Sequence, residues 1–324
     1  SSQLTYNGGT FVIGDETVTY TASATYADAP VKNNNLGNES KENWFGGGTI
    51  VSSGYSITGK ITVEEMQGVP HHLIDVVEPG EFFSMHDFQK LSYTAIDDIL
   101  ARNKTPFLVG GTGLWLDAVV QGRTFAGGHA GGEVRKELQR QLEQEGIEPI
   151  LARLREVDPE SAERLHPSDE KRILRALEVW LETGKTITQH NIETQAIPPR
   201  YDALTLNLSY ERREDMWGRI DRRVDVMMEQ GLVAEVQSLL DAGIPDQCTA
   251  MQAIGYKEMA AALRGDGDVL AAAEEIKLRS RQYAKRQLTW FKRNAAARQI
   301  VWNANPDLLW AVRRSTEFME EFGI

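Results

Sequence analysis

Gly54-Tyr-Ser-Ile-Thr-Gly59-Lys60 has the G-x-x-x-x-G-K spacing of a loop that cradles phosphates with backbone amides and a lysine ammonium. Ile61 stands where the hydroxyl residue of such a loop belongs, with Thr62 one place later. A phosphate loop also follows a strand and opens a helix. Here "GGGTIVSS" is a thin strand candidate, and "ITVEEMQGVP" meets Pro70 before a long helix can form. A second stretch, "KLRSRQYAKRQLTWFKR" at residues 277–293, holds seven basic residues and no acidic one. Such a surface suits a polyanion, and its alternative reading is a solvated helix face. The interleaved Tyr283, Trp290 and Phe291 either stack on bases or pack the helix down. The glycines of "LVGGTG" (Gly110, Gly111, Gly113) permit a tight passage from strand to helix. His71 and His72 are adjacent, so on an extended segment they point apart. No carboxylate spacing completes a set around them, and no metal ligands are assigned from the residues.

The elements that must position these groups fall into two regimes that meet near residue 60. Before it, about half the residues are Ser, Thr, Asn or Gly, and arginine is absent. "TFVIGDETVTYTASATY" alternates apolar and polar residues around Gly14-Asp15, which predicts a β-hairpin, and "NNNLGNESKENWFGGG" predicts a loop. After it, "SMHDFQKLSYTAIDDILARNK" has helical spacing with Ser84 as N-cap. "TPFLVGGTGLWLDAVV" predicts a short strand, a glycine turn and a helix, the α/β signature. The block at residues 131–185 predicts several short helices broken at Gly146, Asp158-Pro159 and His166-Pro167, a helical insertion of its own. "YDALTLNLSY" predicts a returning strand. The remainder is expected to be helical, including one helix through "RREDMWGRIDRRVDVMMEQGLVAEVQSLLDAG" ended by Gly243.

At 324 residues the chain is long enough for more than one lobe, and its 41% hydrophobic and 25% charged content is ordinary for a soluble globular protein. A single cysteine, Cys248, excludes a disulfide framework and a cysteine-rich zinc site, and points to a reducing, cytoplasmic setting. No apolar run approaches a membrane span and the N-terminus lacks a signal-peptide pattern. The net charge of -12 argues against nucleic acid on average, but residues 277–293 depart sharply from that average.

Five segments, in order, resemble the tRNA dimethylallyltransferases, also called tRNA isopentenyltransferases. They are "ITVEEMQGVPHHLID" (61–75), "LVGGTGLW" (108–115), "HPSDEKRILRALEVWLETGK" (166–185), "RIDRRVDVMMEQGLVAEV" (219–236), and "MQAIGYKE" with "RQYAKRQLTWFK" (251–258, 281–292). The resemblance begins near residue 57. It implies an α/β fold with a P-loop-NTPase-like parallel sheet core at residues 57–124 and 197–324. It also implies an all-helical insertion at 125–196 that grips the tRNA anticodon stem. Residues 1–56 are an atypical β-rich segment in place of the expected phosphate-loop region. The implied reaction moves a dimethylallyl group from dimethylallyl diphosphate to N6 of the adenosine 3′ to the anticodon, with Mg2+ assisting the diphosphate, in a monomer. It needs a base for the amine proton, cations for the leaving group, and a pocket for the extruded nucleobase.

Carried over by position, Arg223 matches an arginine placed at the diphosphate, where a guanidinium fork holds phosphate oxygens bidentately. Its competing reading is an ion pair with Asp221 or Asp225. Lys60 is kept as a second diphosphate candidate. The matching tRNA-contact positions are Thr112, Arg135, Lys171, Arg172, Arg175, Gln252, Gly255, Tyr256, Lys257, Lys285, Arg286, Gln287, Trp290 and Lys292. Backbone contacts from such groups seat helices on RNA while the splayed base is read in a pocket.

The chain departs from the family before residue 60. No G-P-T-A-S-G-K-T loop occurs there, and Gly54 stands where the aspartate of a Ser-x-Asp strand end, the family's base, belongs. Counting back from "EEMQGVPHHLID" aligns Thr58 and Lys60 with a Gly-Thr-Ala-Lys element downstream of that base. Loss of a general base costs on the order of 10²–10⁴ in rate. Two other readings therefore stay open: a catalytically silent tRNA-binding paralogue, and a small-molecule kinase using "GYSITGK".

Overall fold

The computed structural model describes residues 66, 68–74, 76–81, 83–125, 132–265 and 267–324, together with the backbone of four short strands near the N-terminus. Lys60 and the whole of "GYSITGK" lie outside the described residues. Of the N-terminal strands, β1 (Leu4–Thr5) pairs with β4 (Ser23–Ala24), and β2 (Gly9–Ile13) pairs antiparallel with β3 (Glu16–Tyr20). The register puts Ile13 opposite Glu16, so the expected hairpin around Gly14-Asp15 is formed. The chain divides into two compact units. One comprises Ser1–Phe83, Asp87–Trp115 and Leu204–Ile324; the other comprises Ser84–His86 and Leu116–Ala203.

Helix α1 (Met85–Ala101) starts directly after Ser84, and α2 (Gly113–Val120) follows the glycine turn. The second unit is then a bundle of short helices: α3 (Glu133–Glu145), α4 (Ile147–Val157), α5 (Pro159–Arg164), α6 (Glu170–Thr183) and α7 (Ile187–Gln195). The breaks fall where the sequence puts its punctuation. Gly146 takes φ 79°, a conformation glycine adopts without penalty, between α3 and α4. Pro159 opens α5, where its missing amide is no loss. Leu138, Ile150, Leu151, Leu154, Ile173 and Leu177 recur at helical spacing and close the core of this unit. Each buried side chain of that size contributes about 1.5–3 kcal/mol.

Asp158 ties two of these helices together. Its carboxylate accepts hydrogen bonds from Ser161 N (3.2 Å), Thr188 N (3.1 Å) and Thr188 Oγ1 (2.7 Å), capping α5 and holding the start of α7. Burial alone would raise this carboxyl. The hydrogen bonds from Thr188 and Ser161 outweigh it and hold the group below its ordinary value.

The other unit contains β5 (Leu206–Tyr210), α8 (Arg213–Glu229), α9 (Leu232–Asp241), a 3-10 turn (Ala250–Gln252), α10 (Tyr256–Arg264), α11 (Val269–Phe291), β6 (Arg298–Trp302) and α12 (Leu308–Phe322). Strands β5 and β6 pair in parallel from Leu206↔Arg298 to Tyr210↔Trp302. Ile300 and Phe318 pack β6 against α12, and Val224, Leu232, Val236, Met251, Met259 and Ile276 form the larger helical core. The described fold is thus mostly helical with a small parallel sheet, an α/β construction.

Three expectations are corrected. The single helix expected up to Gly243 is two helices, because Gly231 at φ 103° breaks the ladder between α8 and α9. The expected strand at "FLV" makes no ladder among the described residues, and Phe107 and Val109 are 67% and 61% exposed. A strand without a hydrogen-bonded neighbour is only an extended segment. Conversely, "RQIVW" is strand β6, in a stretch expected to be helical.

Candidate functional site

In the unit that holds α8 and α11, the glycine turn after residue 109 is docked on helix α11. Gln287 Nε2 donates to the Gly111 carbonyl at 2.7 Å, and the hydroxyls of Thr112 and Tyr283 lie 2.8 Å apart. Gly113 lies so close to Trp290 that a Cβ there would stand 2.1 Å from the ring's Cδ1. The glycines therefore serve the approach of a helix to backbone, beyond making the turn. The candidates Thr112, Gln287 and Trp290 are brought together by this contact, with Tyr283 as the added fourth member.

Helix α11 also divides its own charge. Its first half is compensated: Lys277 bridges Asp225 (2.7 Å) and Glu274 (2.8 Å), Arg279 pairs with Glu275, and Arg281 Nη1 donates to Asp221 at 2.6 Å. The bonds that the Lys277 ammonium donates to Asp225 and Glu274 push it up to about 12. In the second half, no carboxylate among the described residues pairs with the exposed Lys285, Arg286, Lys292 or Arg293. Arg286 stands over the Tyr283 ring at 5.7 Å and Arg293 over Trp290 at 5.0 Å, so the aromatic residues brace the cations. The solvated-face reading fits residues 277–281, and the polyanion reading fits residues 285–293.

The same ion pairs settle the competing reading of Arg223. Asp221 and Asp225 are four apart on one face of α8 and are taken by Arg281 and Lys277 of α11. Arg223, two residues from each, lies on another face, is exposed, and has no ion-pair partner among the described residues. Near the start of α10, Gly255 takes φ 105° and its amide bonds Glu258 Oε2 at 2.8 Å. Gln252 is exposed and bonds the Asp246 carbonyl, and Lys257 is exposed. Tyr256 does not join them. Its side chain is buried and its hydroxyl donates to buried Glu235, which removes it from the surface. Burial and the Glu235 carboxylate raise its phenol far above the ordinary value.

In the helical unit, Lys171 and Arg172 are exposed at the start of α6, Arg172 beside Asp169 at 3.5 Å. Arg135 on α3 and Arg175 on α6 converge on Glu178, with Nη1 atoms 3.6 and 2.7 Å from the same Oε2. The i,i+3 spacing of Arg175 and Glu178 is visible in sequence, whereas nothing local points from Arg135 to Glu178. For the Mg2+ implied by the resemblance, the described residues do not fit a protein-held ion. No three His, Cys, Asp or Glu side chains stand together among them, so no step is derived through it.

The uncompensated basic residues 285–293 lie on the helix that also holds the Gly111–Thr112–Gly113 turn. The IPP transferase family matches residues 55–294, and the chain belongs to that family. It is 44% identical over 236 residues to the tRNA dimethylallyltransferase of Caldanaerobacter subterraneus subsp. tengcongensis, covering 72% of this chain and 75% of the relative. Against that of Halalkalibacterium halodurans it is 44% identical over 245 residues, covering 76% of each. The crystal structure of the full-length tRNA isopentenylpyrophosphate transferase from Bacillus halodurans superposes with a TM-score of 0.61 at 37% identity, over 87% of this chain and 88% of that one. A eukaryotic dimethylallyltransferase solved acting on tRNA gives a TM-score of 0.66 at 28% identity, over 84% and 71%.

Proposed function

We propose that this protein modifies tRNA, transferring a dimethylallyl group from dimethylallyl diphosphate to N6 of the adenosine 3′ to the anticodon. The observation that carries the reading is the second half of α11. There, uncompensated cations and braced aromatic rings lie on the helix that clasps the Gly111–Thr112–Gly113 turn. Family membership supplies the chemistry. In the transfer, the amine nitrogen forms a bond to the first carbon of the allyl group while that carbon's bond to diphosphate oxygen breaks. The diphosphate carries away the electron pair, and the amine's proton passes to solvent water. Exposed Arg223, with its neighbouring aspartates occupied elsewhere, is the group that receives the leaving diphosphate. Lys285, Arg286 and Lys292 seat the RNA backbone, and the helices around residues 125–196 grip the anticodon stem. Residues 57–124 and 197–324 form the P-loop-like core of this reading, acting as a monomer.

A second reading, a silent tRNA-binding protein, is favoured by one observation: Gly54 occupies the position of the base. The two part on a single titration. Both predict that unmodified tRNA binds with an affinity falling steeply with salt, and only the first predicts that dimethylallyl diphosphate then turns over. Salt-insensitive binding of tRNA would remove both.

A further inference from the structure

We propose that Glu178 is a positioning residue that makes Arg135 and Arg175 one two-armed clamp for an RNA phosphate. The inference rests on the tRNA-binding reading above. Arg135 lies in the first turn of α3 and Arg175 in the second turn of α6, so no local sequence constraint brings them together. The carboxylate does. Arg175 Nη1 donates to Glu178 Oε2 at 2.7 Å, and Arg135 Nη1 stands 3.6 Å from the same oxygen. Exposure rises outward along the cluster, from 2% for Glu178 to 21% for Arg135 and 38% for Arg175. The negative charge is therefore at the base and the two guanidinium forks are at the rim.

Two features set this cluster apart from a helix staple. One guanidinium is enough to neutralise a buried carboxylate, yet two from separate helices are gathered on it. The second carboxylate oxygen, Oε1, is buried with no hydrogen-bond partner among the described residues. A half-satisfied buried carboxylate is a poor device for stability alone. It is a good one for holding two planar forks against their mutual repulsion, in the geometry that phosphate oxygens accept.

The test is Glu178→Gln, which keeps the shape and removes the charge. Its readout is the affinity of the folded variant for unmodified tRNA at fixed salt, with circular dichroism confirming the fold. Simple electrostatics predicts tighter binding, since a negative charge has been removed. A helix staple predicts a lower melting temperature and unchanged affinity. The clamp predicts binding weaker by roughly tenfold, the scale of one lost charge-assisted contact pair. It also predicts partial recovery in Glu178→Asp, and no further loss when Glu178→Gln is added to Arg135→Ala with Arg175→Ala. Unchanged or tighter binding by Glu178→Gln, with the wild type binding normally, overturns the clamp and leaves the tRNA reading standing. If Glu178→Gln does not fold, Arg135→Lys and Arg175→Lys keep the charges and lose the forks. Each is then expected to weaken binding by a similar factor, and unchanged affinity overturns the proposal. A wild type that does not bind tRNA overturns both.

Discussion

Replacing Gly113 by alanine adds one methyl group where the structure has no room for it. The new Cβ would stand 2.1, 2.3 and 2.7 Å from Cδ1, Nε1 and Cγ of Trp290, all atoms of the rigid ring, so the indole or the turn has to shift. Overpacking of this kind costs about 1–3 kcal/mol. Because the crowded atoms belong to a rigid ring, the cost falls at the upper end of that range, about 2–3 kcal/mol. At the first residue of α2 the gain in helix propensity offsets at most about 1 kcal/mol of it. The net is about 1–3 kcal/mol, which at ~2–4 °C per kcal/mol lowers the melting temperature by about 2–12 °C. Gly111→Ala is the internal control. Its Cβ would stand 2.1 Å from Gln287 Nε2, the far end of a flexible side chain that can swing aside. The cost there is the bond to the Gly111 carbonyl, about 1 kcal/mol. Neither glycine has a left-handed φ, so backbone strain does not confuse the comparison. Thermal melts and tRNA affinity of the two variants decide the matter. Gly113→Ala should be the less stable and, by displacing Trp290, the weaker binder. A Gly113→Ala protein as stable as the wild type would refute the claim that the turn is clasped by α11.

Lys285→Ala with Arg286→Ala should weaken tRNA binding and reduce the slope of log affinity against log salt by about 1–2; an unchanged slope returns residues 285–293 to a solvated face. Arg223→Ala should lower transfer at least about 100-fold with tRNA affinity within about twofold; a large loss of binding places Arg223 on the RNA instead. Asp158→Asn should destabilise the chain by about 1–3 kcal/mol, since an amide cannot accept at both oxygens from Ser161 and Thr188. Because the folded-state carboxyl lies below its ordinary value, its contribution is full above about pH 4 and is lost as pH falls through the folded value. Melts from about pH 7 downward should therefore show a shallower acid limb for Asp158→Asn than for the wild type.

Local chemistry was the most readable part of the chain. Gly146, Pro159 and Pro167 announce helix breaks because each changes backbone options at its own position, and the short helices of residues 133–183 follow them. Gly231 carries the same signal but sits inside a strong apolar periodicity, which hid the break between α8 and α9. Pairing was harder to read. "FLV" has strand composition, but a ladder needs a neighbour, and β6 forms because β5 lies beside it, ninety-odd positions earlier in the chain. The site divides in the same way. The basic run was visible, yet the split between its compensated and uncompensated halves depends on Asp221 and Asp225 of α8. Tyr256 matched a contact position by order along the chain, but only the packing shows it turned inward to Glu235. Glu178 had no signal beyond an i,i+3 arginine, because its second partner comes from another helix.

The central claim is that this chain catalyses dimethylallyl transfer to tRNA. Its most direct test is incubation of the protein with unmodified tRNA and dimethylallyl diphosphate labelled in the allyl group. Label is expected in the tRNA at the adenosine 3′ to the anticodon, with the signal lost in Arg223→Ala. Salt-sensitive tRNA binding without any transfer of label would contradict it and leave a binding protein.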